Sequence, residues 1–172
     1  PRVTSGFNAI IAKTQNSGYS LFFDEGVPQV SVRVGDRYIN AEGRQPLPTD
    51  RWSHLAGVYD GDAVSLFIDG KRIDSRPAPD APRSRNGLPL YIGADPGRDG
   101  GPSRPFDGDI DEVRLSAAAV YEEDFTPAVR MTPRDDTVML MHLDQTIGPF
   151  VISEGPRPVK GFLGDAAALV EK

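Results

Sequence analysis

Short runs of alternating apolar and polar positions, cut apart by glycine and proline, dominate the chain. Residues 29–34 show the pattern most cleanly. Val30, Val32 and Val34 fall on one face of a strand, and Ser31 and Arg33 on the other. The runs at 7–13 and 19–24 predict two strands before it, and 37–41 a short return strand after it. Further on, 51–60 and 63–69 read as strands joined by a turn at Asp60-Gly61-Asp62, and Asp69-Gly70 turns into 71–75. Asp-Gly pairs tolerate the positive φ of a tight hairpin, so this stretch predicts an antiparallel meander. Val64, Leu66 and Ile68 share one face of its central strand, with Ser65 and Phe67 opposite.

Two segments read as loops by composition, 76–87 (RPAPDAPRSRNG) and 95–105 (DPGRDGGPSRP). Between them 88–94 is a strand with a proline near its start, as at a strand beginning or an edge. Residues 106–116 predict another strand, 117–124 a short helix with Ser116 as its N-cap, and 137–144 a further strand. From 145 to 172 the sequence is rich in glycine and proline with a few apolar islands, and no tandem repeat is visible. The pattern predicts an all-β fold, a two-sheet antiparallel jelly-roll sandwich with one short helix, as a single domain over 1–172. Residues 137–172 supply its closing strand and tail, or open a neighbouring unit.

Composition narrows the function. A chain of 172 residues buries enough surface, roughly 70%, to hold a core without staples. It has no cysteine, which excludes disulfides, thiolate metal ligands and cysteine nucleophiles. No apolar run approaches the ~20 residues of a membrane-spanning helix, so no membrane insertion is expected. A net charge of −6 speaks against a nucleic-acid partner, which would need a basic face. The arginines nevertheless concentrate in the two long loops, at Arg83, Arg85, Arg98 and Arg104, near Asp95 and Asp99. Long irregular loops on a rigid sandwich are where binding residues gather. These six residues are the candidate ligand-binding set, with an acidic or sulfated polysaccharide, or an acidic protein patch, as the ligand to screen first. Because the chain opens at Pro1 without a leader, it reads as a piece of a longer protein whose other domains and targeting signal lie outside it.

Three segments in order resemble the laminin G-like, concanavalin A-like superfamily of bacterial extracellular proteins. They are Trp52-Ser53-His54-Leu55-Ala56-Gly57-Val58-Tyr59-Asp60-Gly61, then Leu66-Phe67-Ile68-Asp69-Gly70-Lys71, then Phe106-Asp107-Gly108-Asp109-Ile110-Asp111-Glu112-Val113-Arg114. Leu90-Tyr91-Ile92-Gly93-Ala94 sits where the family has a comparable strand, and the likeness runs from about Phe7 to Asp144. The family's usual opening strand has no match ahead of Phe7. The resemblance implies a recognition module for carbohydrate or an extracellular protein, extracytoplasmic in location, with adhesion among its possible roles. It places Trp52 at a strand start, packed against Leu66 and Ile68.

The resemblance also raises glycoside hydrolysis, because glucanases share the fold. Those enzymes carry two carboxyls on one strand in a pattern close to E-x-D-x-x-E. The nearest match, Asp109 to Arg114, puts Asp109 and Asp111 on one face, turns Glu112 to the other and lacks the second acid. No catalytic residue is assigned, and a non-enzymatic module is the expectation; a hydrolase-like enzyme and a structural spacer are the alternatives. His54 and His142 read as packed strand residues, and without cysteines they make a zinc site improbable. A structural calcium is the one cofactor the resemblance implies, with Asp111 as first ligand and Asp109 and Asp144 as weaker partners. Tyr91 and Phe106 flank the 95–105 loop as its base, and Tyr121 and Phe125 are expected to dock the helix.

Overall fold

The hairpins written into the sequence form as antiparallel pairs. In the computed structural model, which describes residues 1, 6–156 and 158–164, β1 (Phe7–Lys13), β2 (Tyr19–Asp24), β3 (Val27–Val34) and β4 (Arg37–Glu42) follow one another, with β8 (Tyr91–Ile92) on the free side of β1. Their five-stranded sheet runs β4-β3-β2-β1-β8. A second sheet, β5-β6-β7, comes from the meander: β5 (Leu55–Tyr59), β6 (Ala63–Ile68) and β7 (Lys71–Pro77). The 95–105 segment folds on itself as β9 (Asp95–Pro96) and β10 (Pro102–Ser103). The chain divides into two compact units, the first comprising 1–109 with 121–127 and the second 110–120 with 128–172.

In the first unit the two sheets meet through the faces that the alternation marked apolar. Val30, Val32 and Val34 of β3 and Ile39 and Ala41 of β4 pack with Val64 and Leu66 of β6, and Ile68 joins them partly buried. Each of the valines, Ile39 and Leu66 contributes about 1.5–3 kcal/mol when fully buried. Gly57 lets β5 come this close: a Cβ there would lie 2.4 Å from Val30 Cγ2. The fold is therefore the expected two-sheet antiparallel sandwich, all β. Among the described residues no helix is long and apolar enough to cross a membrane.

The 117–124 segment is not helical. In a helix the Phe125 N–H would donate to the Tyr121 carbonyl four residues back; instead it donates to Gly70 O at 2.8 Å. The Tyr121 and Phe125 rings stack on each other at 3.6 Å and pack against Phe67. Asp124 accepts the Arg72 N–H at 2.9 Å and pairs with Lys71 at 3.1 Å. These long-range partners outbid a short helix, which is marginal by itself. Gly70 makes the contact possible, since it has φ 78° and a Cβ on it would stand 1.9 Å from Phe125 O.

Trp52 is not in the core either; it is 66% exposed. Pairing of β5 begins only at Leu55, because the His54 N–H is taken by Asp69 Oδ1 at 2.8 Å and Arg51 pairs with Asp69 at 3.2 Å. The aromatic place on this sheet belongs to Phe67, 1% exposed, on the face of β6 opposite Leu66.

The second unit pairs β11 (Val113–Ser116) with β12 (Thr137–Met141), and β13 (Phe150–Ile152) with β14 (Lys160–Phe162). Ser116, the expected helix N-cap, is the last residue of β11. The 106–116 strand shrinks to its last four residues: Glu112 has φ 54°, outside the range of a strand. Met139, Leu140, Met141 and Val151 are buried.

Around Glu112 lies a charged network. Its Oε2 accepts the Met131 N–H at 2.7 Å, and its Oε1 accepts from His142 Nδ1 at 2.6 Å and lies 3.6 Å from Arg130. Glu154 sits 3.4 Å from His142 Nε2, and Arg130 pairs with Asp144 at 2.7 Å. The Glu112 hydrogen bond raises the His142 pKa above its usual range; burial opposes this, Glu154 adds to it, and Arg130 works against it. A raised folded-state value means that protonated His142 favours the folded unit. That stability is complete below the unfolded value of about 6.5 and is lost as pH climbs through the folded one. Thermal melts of the second unit's signal should fall over this range, and His142→Gln should flatten the fall. A wild-type melt level across the same interval would show the network to be electrostatically idle.

Candidate binding groove

The face of the five-stranded sheet turned away from Val64 and Leu66 carries a different set of side chains. Ser20, Ser31 and Asn40 are consecutive cross-strand partners in register, and Ser31 Oγ donates to Asn40 Oδ1 at 2.7 Å. With Phe7, Phe22 and Tyr38 they floor a groove of about 600 Å³. The rim is built from Thr14, Gln15 and Asn16 after β1 and from Asp95, Arg98, Ser103 and Arg104 of the β9–β10 hairpin.

The rim is held by one buried carboxylate. Asp95, with a side chain 4% exposed, accepts from Thr14 Oγ1 at 2.5 Å and from Arg104 Nη1 at 3.2 Å. Its backbone carbonyl accepts from Ser103 Oγ at 3.0 Å. The Arg104 guanidinium lies 4.6 Å from the Phe7 ring centroid, and Phe7 stacks on Phe22 at 4.0 Å. A cation over an aromatic face gains about 0.5–2 kcal/mol and fixes the guanidinium plane.

Three rim residues, Gln15 (φ 74°), Asn16 (φ 58°) and Arg104 (φ 50°), occupy the left-handed region without being glycine. Such backbone costs on the order of 1–3 kcal/mol per residue and persists only where the surroundings over-determine it. They do so here. Gln15 Nε2 donates to Pro96 O at 2.7 Å, and Asn86 Nδ2 donates to Thr14 O at 2.5 Å and Gln15 O at 3.4 Å. Held strain at the lip of a concavity is what makes this groove the candidate site.

The structure divides the residues singled out in the sequence. Asp95, Arg98 and Arg104 line the groove. Asp99 sits in the hairpin turn, where its carboxylate accepts the Gly101 N–H at 3.1 Å. Arg83 and Arg85 are exposed on a segment that crosses the end of the β3–β4 hairpin, outside the groove lining. Arg83 bridges Val34 and lies 5.7 Å from the Tyr59 ring, while Ser84 O accepts the Gly18 N–H. This segment supports the 14–18 turn. Tyr91 does hold the hairpin, donating to Gly100 O at 2.8 Å, and Phe106 stacks on Phe23 at 5.9 Å. His54 packs edge-on against Tyr121 and Phe125.

Nothing in the local sequence marks Thr14, Gln15, Asn16 or Asn40 as lining a groove. Ser31 was visible on the polar face of an alternating strand, but its alignment with Ser20 and Asn40 depends on register.

Asp109, Asp111 and Glu112 do not lie along a strand, because β11 starts only at Val113. Asp111 Oδ1 accepts the Glu112 N–H at 2.9 Å, and Asp144 is paired with Arg130. Among the described residues, no group of three or more His, Asp or Glu side chains is gathered as a metal ion would need.

Comparison with known proteins gives a consistent picture. No curated protein matches the sequence. Among solved structures, a protein from Bacteroides ovatus for which carbohydrate binding has been proposed superposes with a TM-score of 0.70 at 18% identity. The match covers 95% of this chain and 52% of that one, so the chain spans about half the neighbour's length. At this identity the likeness carries the fold alone. The family model of the concanavalin A-like lectin/glucanases superfamily matches residues 1–124, which contain both sheets of the sandwich and the whole groove. The chain belongs to the concanavalin A-like lectin/glucanases superfamily.

Proposed function

We propose that the chain is a non-catalytic carbohydrate-recognition module, part of a larger extracytoplasmic protein, and that it binds glycan in the groove over Ser20, Ser31 and Asn40. The observation that carries this reading is the rim, strained at Gln15, Asn16 and Arg104 and locked by Asp95 and Asn86. A floor of small hydroxyl and amide side chains beside aromatic rings suits a ligand with many hydroxyls and apolar ring faces. Membership of a superfamily of lectins and glucanases, and the binding proposed for the Bacteroides neighbour, support it. Glycoside hydrolysis needs two carboxyl groups across the scissile bond. The groove lining supplies Asp95 alone, and that carboxylate is buried and engaged.

Isothermal titration against a panel of neutral and acidic polysaccharides tests the reading. Asn40 is exposed, so Asn40→Trp should fill the groove without touching the core. Affinity for whichever glycan binds should drop at least about tenfold, while loss of the Ser31 partner costs no more than about 1–3 kcal/mol of stability. Full affinity in that variant would place the site elsewhere, and steady release of reducing sugar by the wild type would overturn the non-catalytic reading.

A further inference from the structure

The groove does not end at the last strand of the sheet. Tyr38 and Asn40, which line it, also line a second depression of about 380 Å³ along the outer edge of β4, bounded by Arg37, Glu42, Arg76 and Pro77. The shared residues set the two depressions side by side, one reaching to the β9–β10 hairpin and the other to β7, and both are open to solvent. A site open at both ends admits the middle of a polymer, whereas a closed pocket admits only a terminus.

The two depressions also have a charge of their own. Four arginines line them (Arg37, Arg76, Arg98 and Arg104) against two carboxylates, Asp95 and Glu42, in a chain whose net charge is −6. Two of the four are committed, Arg104 to Asp95 at 3.2 Å and Arg76 to Asp74 at 2.8 Å. Arg37 and Arg98 are exposed, and among the described residues no carboxylate lies within ion-pair distance of either. One uncommitted guanidinium therefore stands in each depression. Burying them under a neutral chain would strip water from the charges without return, whereas an oxyanion on the ligand restores it through paired N–H donors.

Resting on the reading of the groove as a glycan site, we propose that its ligand is an internal stretch of an anionic polysaccharide, whose carboxylate or sulfate groups are read by Arg98 in the first depression and Arg37 in the second. The overall negative charge of the protein repels polyanions elsewhere, which confines them to these depressions.

The experiment uses pairs of polymers that differ only in charge: polygalacturonate against its methyl ester, and dextran sulfate against dextran. Within at least one pair the charged member should bind and its neutral partner should not, and the pair that responds identifies the oxyanion. Arg37→Gln and Arg98→Gln should each weaken that binding about tenfold, the loss of one charge-assisted contact. Raising salt should weaken it further, and oligomers of the charged sugar should gain affinity with length while its monomer binds poorly. Equal binding of charged and neutral members would overturn the anionic ligand and leave the groove assignment intact, as would full affinity in both arginine variants. A monomer that binds as tightly as the hexamer would overturn the two-depression site. Failure of all four polymers and of the neutral panel would overturn the glycan reading itself.

Discussion

Replacing Phe67 by alanine should destabilise the protein by about 3–5 kcal/mol, while the same change at Trp52 should stay within about 0.5 kcal/mol. The two aromatics lie in sequence segments that carry the family resemblance, yet their surroundings are opposite. Phe67 is 1% exposed, with Phe125 at 5.7 Å and Tyr121 at 6.2 Å between ring centroids and the Arg72 guanidinium 6.0 Å from its ring. Truncation there removes the transfer energy of a whole ring. It also opens a cavity that the Tyr121–Phe125 stack cannot fill, because Phe125 is tied by its N–H to Gly70 O. Trp52, 66% exposed, already spends most of its surface in water. For a chain of this size 1 kcal/mol moves the melting temperature by roughly 2–4 °C, so Phe67→Ala should melt on the order of 10 °C lower. A large drop for Trp52→Ala, or none for Phe67→Ala, would reverse the assignment of the core.

The contrast shows where the sequence is legible. The first two strands begin and end where the alternation puts them, because both lie in hairpins whose partners are sequence neighbours. Trp52 misleads because its burial depends on where β5 starts, which is fixed by Asp69 holding the His54 N–H fifteen positions away. The 117–124 segment misleads for the same reason: its local helical pattern is weaker than the distant partners of Asp124 and Phe125. The groove is legible only in part. Arginines in Gly/Pro-rich loops were a compositional signal, but composition cannot say that Arg98 and Arg104 reach the sheet face while Arg83 and Arg85 lie on a crossing segment. Gln15 and Asn16 left no signal, because left-handed backbone in non-glycine residues is imposed by partners such as Asn86, about seventy positions on.

Asp95→Ala should abolish glycan binding and lower stability together, by about 1–3 kcal/mol. The carboxylate is 4% exposed while its partner Arg104 is 54% exposed, so the ion pair is screened on the arginine side and carries the smaller share. The larger share comes from the buried side of the site. Thr14 Oγ1 loses its acceptor, and the turn through Gln15 and Asn16 loses one of the contacts that hold it in the left-handed region. Arg104, released from Asp95, is no longer fixed above Phe7, so the rim on the hairpin side loosens with the rim on the β1 side. Asp95→Asn separates the contributions. Its amide oxygen can still accept from Thr14, so most of the stability should return. The charge that orients Arg104 is gone, so affinity should remain low. Melting curves and titrations on the two variants read these quantities independently. An alanine variant that melts and binds like the wild type would show that the rim does not depend on Asp95.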